Sequence, residues 1–154
     1  MKKILLAVGT AFLSLTALAQ SSNDYIEMTR EVIKAEKKAA IAEVMNLTDA
    51  ESQPFWDLYN EYQGKQYPVH NKRIAIIKDF ADNYENLTDE KADELWTNYM
   101  KFQQELLKVK ISYYKKLKKI LPAGKAALFM QTENKIEALI NASLAAEIPL
   151  IETR

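Results

Sequence analysis

Apolar residues recur at helical steps along four stretches of the chain. In the first, Ile26, Val32, Ile33, Ala40, Ile41, Val44 and Met45 form one side and Arg30, Lys34, Lys37 and Lys38 the other. This predicts a helix opening near Asn23 or Asp24 and running to about Met45. After the short Asn46-Leu47 joint, Phe55, Tyr59, Tyr62, Val69, Ile76 and Phe80 hold one face over many turns, with polar Gln66 and Arg73 at two sites on it. The second helix therefore runs from Thr48 to about Tyr84. Pro68 falls inside it, four residues after Gly64, and predicts a kink or a short break near Gly64–Pro68 that does not end the helix. A third stripe, Leu95, Tyr99, Phe102, Leu106, Val109, Tyr113 and Ile120, predicts a straight helix from Thr88 to about Ile120. Pro122 suits the first position of a fourth helix. That helix continues through Phe129, Ile136, Leu139, Ile140 and Leu144 until Pro149 stops it, leaving Ile148, Leu150 and Ile151 as a short apolar tail fit to dock on the body or on a partner.

The second and third helices begin alike. Leu47-Thr48-Asp49 is followed by Trp56, Tyr59, Tyr62 and Gln63, and 40 residues later Leu87-Thr88-Asp89 is followed by Trp96, Tyr99, Phe102 and Gln103. A fixed offset held without a gap marks a duplicated supersecondary unit. Each threonine suits an N-cap, accepting from backbone N–H groups that have no helical partner. Glu51 completes a capping box with Thr48, whereas Lys91 stands at that place in the second copy. Leu47 and Leu87 sit where a hydrophobic staple belongs. Asp89 and Glu90 put negative charge at the positive end of the helix dipole.

The first residues read as a secretory signal: basic Lys2-Lys3, an apolar run from Ile4 to Leu18, and a small-x-small site at Ala17–Ala19. Cleavage between Ala19 and Gln20 is expected, leaving 20–154 as a single all-helical domain. The run, interrupted by Gly9, Thr10, Ser14 and Thr16, falls short of the ~20 residues that span a bilayer, so no membrane insertion is expected after cleavage. Lys2 and Lys3 leave with the signal, and 21 basic and 21 acidic residues become 19 against 21. That balance offers no bulk attraction to nucleic acid. The absence of cysteine excludes disulfides, thiolate metal sites and a lipid anchor at the cleavage site. Three glycines and four prolines in 154 residues favour long helices with few turns.

Catalytic chemistry has little to work with. His70 is the one histidine, and a lone histidine reads as a surface or packed residue rather than a ligand. No nucleophile motif and no glycine-rich phosphate loop occurs. No cofactor is expected and the chain does not read as an enzyme. Asn-x-Ser/Thr triplets at Asn46, Asn86 and Asn141 are explained by the two Leu-Thr helix starts and by a helical position. Trp56, Trp96, Tyr59, Tyr99, Tyr62 and Phe102, at helical spacing, read as core packing rather than a ligand box. Lys108, Lys110, Lys115, Lys116, Lys118 and Lys119 suit the negative end of a helix dipole, and the run could also draw in acidic segments of unfolded chains.

An exported, cysteine-free, helical chain with two Leu-Thr-x-x starts resembles the Spy/CpxP family of bacterial periplasmic proteins, marked by paired Leu-Thr-x-x-Gln motifs. Leu47-Thr48-Asp49-Ala50-Glu51 and Leu87-Thr88-Asp89-Glu90-Lys91 stand at the motif positions, with Glu51 and Lys91 in place of the glutamines. The likeness covers about 24–150. It implies a four-helix, all-α fold with a long central hairpin, assembled as an antiparallel cradle-shaped homodimer in the periplasm. It implies ATP-independent holding of unfolded or misfolded envelope proteins in an envelope stress response. The alternatives are a regulatory module docking on an envelope sensor and a metal-binding sensor or buffer, the latter poorly served by one histidine. Tyr67, Lys72, Arg73, Lys108 and Lys115 are the candidate client contacts. Two central helices of about 35 residues, roughly 50 Å each, exceed what a monomer of this size covers with its own core.

Overall fold

The computed structural model describes the backbone of residues 21–152 and the side chains from Met28 onward. The signal peptide and its cleavage site at Ala19 and Gln20 lie outside the described residues; Asn23 and Asp24, expected at the cap of the first helix, are already within it, because the helix is formed from Ser21. Four α-helices and one short 3-10 turn follow in order, with no strand among the described residues: α1 (Ser21–Met45), α2 (Asp49–Asn83), the 3-10 turn Tyr84–Asn86, α3 (Asp89–Leu117) and α4 (Ala123–Glu147). The chain is all-α.

The two Leu-Thr starts are helix caps, as their chemistry dictates. Thr48 Oγ1 accepts from Glu51 N at 3.4 Å, and Glu51 Oε2 accepts from Thr48 N at 2.9 Å, closing the capping box. Thr88 Oγ1 accepts from Lys91 N at 3.2 Å, with Asp89 and Glu90 in the first turn. Before the first cap, Asn46 takes the left-handed conformation (φ 42°), which asparagine tolerates better than most side chains and which ends α1 abruptly.

Helix α2 is unbroken for 35 residues and passes through both Pro54 and Pro68. The break allowed for at Gly64–Pro68 does not form. Pro68 gives no N–H to the Gly64 carbonyl, but both residues are exposed, so water reaches that carbonyl. The buried stripe runs straight through: Phe55, Tyr59, Tyr62, Gln66 and Val69. Helix α3 stops at Leu117, shorter than its stripe suggested. Lys119 and Ile120 donate to carbonyls three residues back, at 3.0 and 3.1 Å, a tightened last turn leading into Pro122. Pro122 is the N-cap of α4 rather than its first helical residue, its carbonyl accepting from Ala126 N at 3.0 Å.

The described chain forms two compact units. The larger spans 48–127 with 151–152 and is built on an antiparallel hairpin of α2 and α3. Its cross-helix pairs run in opposite directions along the two helices: Asp79 with Lys91 at 2.8 Å, Lys72 with Glu105 at 2.6 Å, Glu61 with Lys116 at 2.7 Å. Val69, Phe102 and Leu106 pack as one cluster, with Ile76, Tyr99 and Val109 against it. Tyr62 meets Tyr113 at 5.2 Å between ring centroids. The other unit joins α1 to 128–150. Its buried residues are Ile41, Met45, Phe129, Ile136 and, unusually, Glu133. Lys37 reaches Glu133 at 2.7 Å, with only 13% and 2% of the two side chains exposed. In such a place neither charge is tolerated without the other.

Candidate functional site

The motif positions do structural work. Glu51 is the centre of a small network. Besides closing the capping box, it accepts from Lys125 Nζ at 2.5 Å and so ties the start of α2 to the first turn of α4. The Lys125 ammonium, then the Thr48 backbone N–H, hold its carboxyl below the usual range. In the second copy the charge is reversed. Lys91 reaches back to Asp79 at 2.8 Å and along its own helix to Glu94 at 3.1 Å, and these carboxylates raise its pKa. The two departures from glutamine each place an ion pair at a helix start.

The repeated aromatics divide between two environments. Tyr59, Tyr62 and Phe102 are buried at 2, 1 and 1% exposure. Tyr99 and Trp56 are half-buried, Trp56 packing edge-on against Phe55 and Tyr59. Trp96 does not join the core. It is 62% exposed and stacks on Tyr99 with ring centroids 5.5 Å apart. The duplication preserves the inner stripe but not the residue beside it, because a position one step from the stripe is turned about 100° round the helix.

One polar side chain is buried on the inner stripe of the hairpin. Gln66, 3% exposed, donates to the Tyr62 hydroxyl at 2.8 Å, while its Oε1 has no hydrogen-bond partner among the described residues. On α3 a bond of the same four-residue spacing, though not at the matching place in the repeat, runs from Gln103 to the Tyr99 hydroxyl at 2.6 Å. His70 packs its ring 6.2 Å from Phe102. Among the described residues no group of three His, Cys, Asp or Glu side chains could hold a metal ion.

The five candidate contact residues are not one site. Lys72 is held by Glu105, and Arg73 sits 5.7 Å over the Phe102 ring, so both are used within the hairpin. Tyr67 is 49% exposed on α2. Lys108 and Lys115 lie exposed on α3, and they belong to a surface that the single-stripe reading of α3 overlooked. Trp96, Met100, Leu107 and Ile111 are 62, 43, 56 and 48% exposed. They step by four, seven and four residues along the helix, a second apolar row beside the buried one. The sequence signal was present as this recurrence, but the stronger inner stripe masked it. Lys101, Lys108 and Lys115 stand exposed on the same helix, and its one acid after Leu95, Glu105, is neutralised by Lys72. The outer face of α3 is thus apolar and basic.

Comparison of the chain with family models, curated proteins and solved structures gives no match. No helix among the described residues is long and apolar enough to cross a membrane.

Proposed function

We propose that this chain is an exported, ATP-independent chaperone-like protein that holds unfolded or misfolded polypeptides on the outer face of α3. The observation that carries the reading is the row Trp96, Met100, Leu107 and Ile111, large apolar side chains left 43–62% exposed beside a lysine-rich flank. Contiguous exposed apolar surface in a folded chain marks an interaction site. Unfolded segments offer apolar side chains without fixed geometry, and long flexible partners suit them: methionine adapts its shape, and lysine lays an apolar stem beside a wet tip. The resemblance to Spy/CpxP proteins supports the same function, a periplasmic location and a homodimer, in which a second copy covers further apolar surface and leaves the α3 face open to clients.

The test is aggregation of an unrelated, thermally unfolding protein, followed by light scattering without ATP. Suppression at a several-fold excess of this chain is expected. Unaltered scattering refutes the holding activity. Sedimentation of the purified chain tests the dimer, and a monomer at every concentration refutes it.

A further inference from the structure

The outer face of α3 carries two parallel rows with one period. Met100 and Leu107 are seven residues apart, with Ile111 one turn further on, and Lys101, Lys108 and Lys115 stand seven apart immediately beside them. Seven residues advance about 10.5 Å along a helix, so the lysines form a ladder of three rungs flanking an apolar seam. All three are exposed. None makes an ion pair or hydrogen bond among the described residues, whereas Lys72, Lys91, Lys116 and Lys125 are each paired with a carboxylate.

The geometry points to an acidic amphipathic helix as the segment this face selects, with carboxylates at heptad spacing lying on Lys101, Lys108 and Lys115. The inference rests on the reading of this face as a client surface and adds to it the chemical class and register of the segment. An apolar seam bordered by charges at a seven-residue period is what a helix meets in a coiled-coil partner, where flanking charges choose partner and orientation. Charge excludes a second copy as the best occupant. Two copies packed antiparallel on this face are related by a two-fold axis that leaves both lysine ladders on the same side, so the ladders face each other across the seam. Like charges there oppose association, and an acidic ladder relieves all three lysines at once.

Two synthetic peptides of three heptads and identical composition test this against the whole chain. Both carry Leu along the seam. One has Glu on the seam's flanks and the other has Glu on the opposite face. Fluorescence anisotropy of labelled peptide should give at least about tenfold tighter binding for the flanked form. The chain bearing Lys101→Glu, Lys108→Glu and Lys115→Glu, checked for unchanged helicity by circular dichroism, should lose that preference and favour a Lys-flanked peptide. Equal affinities for the two isomers, or an unaltered preference in the triple variant, overturn the inference. Suppressed aggregation with equal peptide affinities removes the register and leaves the holding activity. Selective peptide binding without suppressed aggregation removes the holding activity and leaves the register.

Discussion

Phe102 and Trp96 are both large aromatics on α3 within two turns of each other, yet truncating them should have opposite consequences. Phe102 is 1% exposed and packs with Val69 and Leu106, under the Arg73 guanidinium and beside the His70 ring. Phe102→Ala removes a whole ring from a closed site. Loss of transfer energy and the cavity left behind together cost about 3–5 kcal/mol. At roughly 3–4 °C per kcal/mol for a chain of this size, the melting temperature should fall by about 10–20 °C. Trp96 is 62% exposed and rests on Tyr99 alone among the aromatics. Surface substitutions of this kind stay within about 0.5 kcal/mol, so Trp96→Ala should shift the melting temperature by about 2 °C or less. Its effect should appear instead as weaker suppression of aggregation. Thermal denaturation followed by circular dichroism, paired with the light-scattering assay, reads both. Comparable destabilisation by the two substitutions would refute the division of α3 into an inner packing stripe and an outer binding row.

Glu133→Ala should cost about 3–5 kcal/mol in urea denaturation, because it removes the carboxylate that lies 2.7 Å from a Lys37 side chain only 13% exposed; the double variant Lys37→Met, Glu133→Leu should recover most of that loss, and no recovery would contradict the account of the pair. Pro68→Ala should stabilise the chain by about 1–3 kcal/mol, since it restores the helical hydrogen bond to Gly64 within an unbroken α2; a destabilised variant would mean that the proline is itself required there. The Lys116 ammonium and then the Tyr113 hydroxyl hold the Glu61 carboxyl below the ordinary glutamate range, and Lys125 does the same for Glu51. Depressed folded-state values stabilise above the unfolded pKa and lose that contribution as pH falls through the folded value. Melting temperature should therefore drop as pH goes below about 4.5, and Glu61→Gln should flatten part of that slope; a slope identical in the variant would remove Glu61 from the explanation.

The order and type of the four helices were legible because each carries its own apolar period and each central helix has a local start signal. Thr48 and Thr88 are N-caps for reasons written within three residues of each. The end of α3 was less legible: Ile120 continues the stripe, but the backbone tightens after Leu117 ahead of Pro122. Pro68 suggested an interruption, because sequence shows a lost hydrogen bond without showing that the orphaned carbonyl faces water. The surface was the least legible. Trp96 shares its offset with Trp56, and only packing reveals that one is half-buried and the other open. Lys72 and Arg73 looked as free as Lys108 and Lys115, since their partners, Glu105 and the Phe102 ring, lie about 30 residues away in sequence. The outer row on α3 was written in the chain, yet its meaning depends on knowing that nothing described packs over it.

The most direct measurement compares the chain with its Leu107→Asp, Ile111→Asp variant in the ATP-free aggregation assay. Both side chains are about half exposed, at 56 and 48%, so the variant should fold with an unchanged helical spectrum. The account predicts that the parent suppresses light scattering by an unfolding client and that the variant, at the same excess, does not. Equal suppression by the two proteins would contradict the claim that clients are held on the outer face of α3.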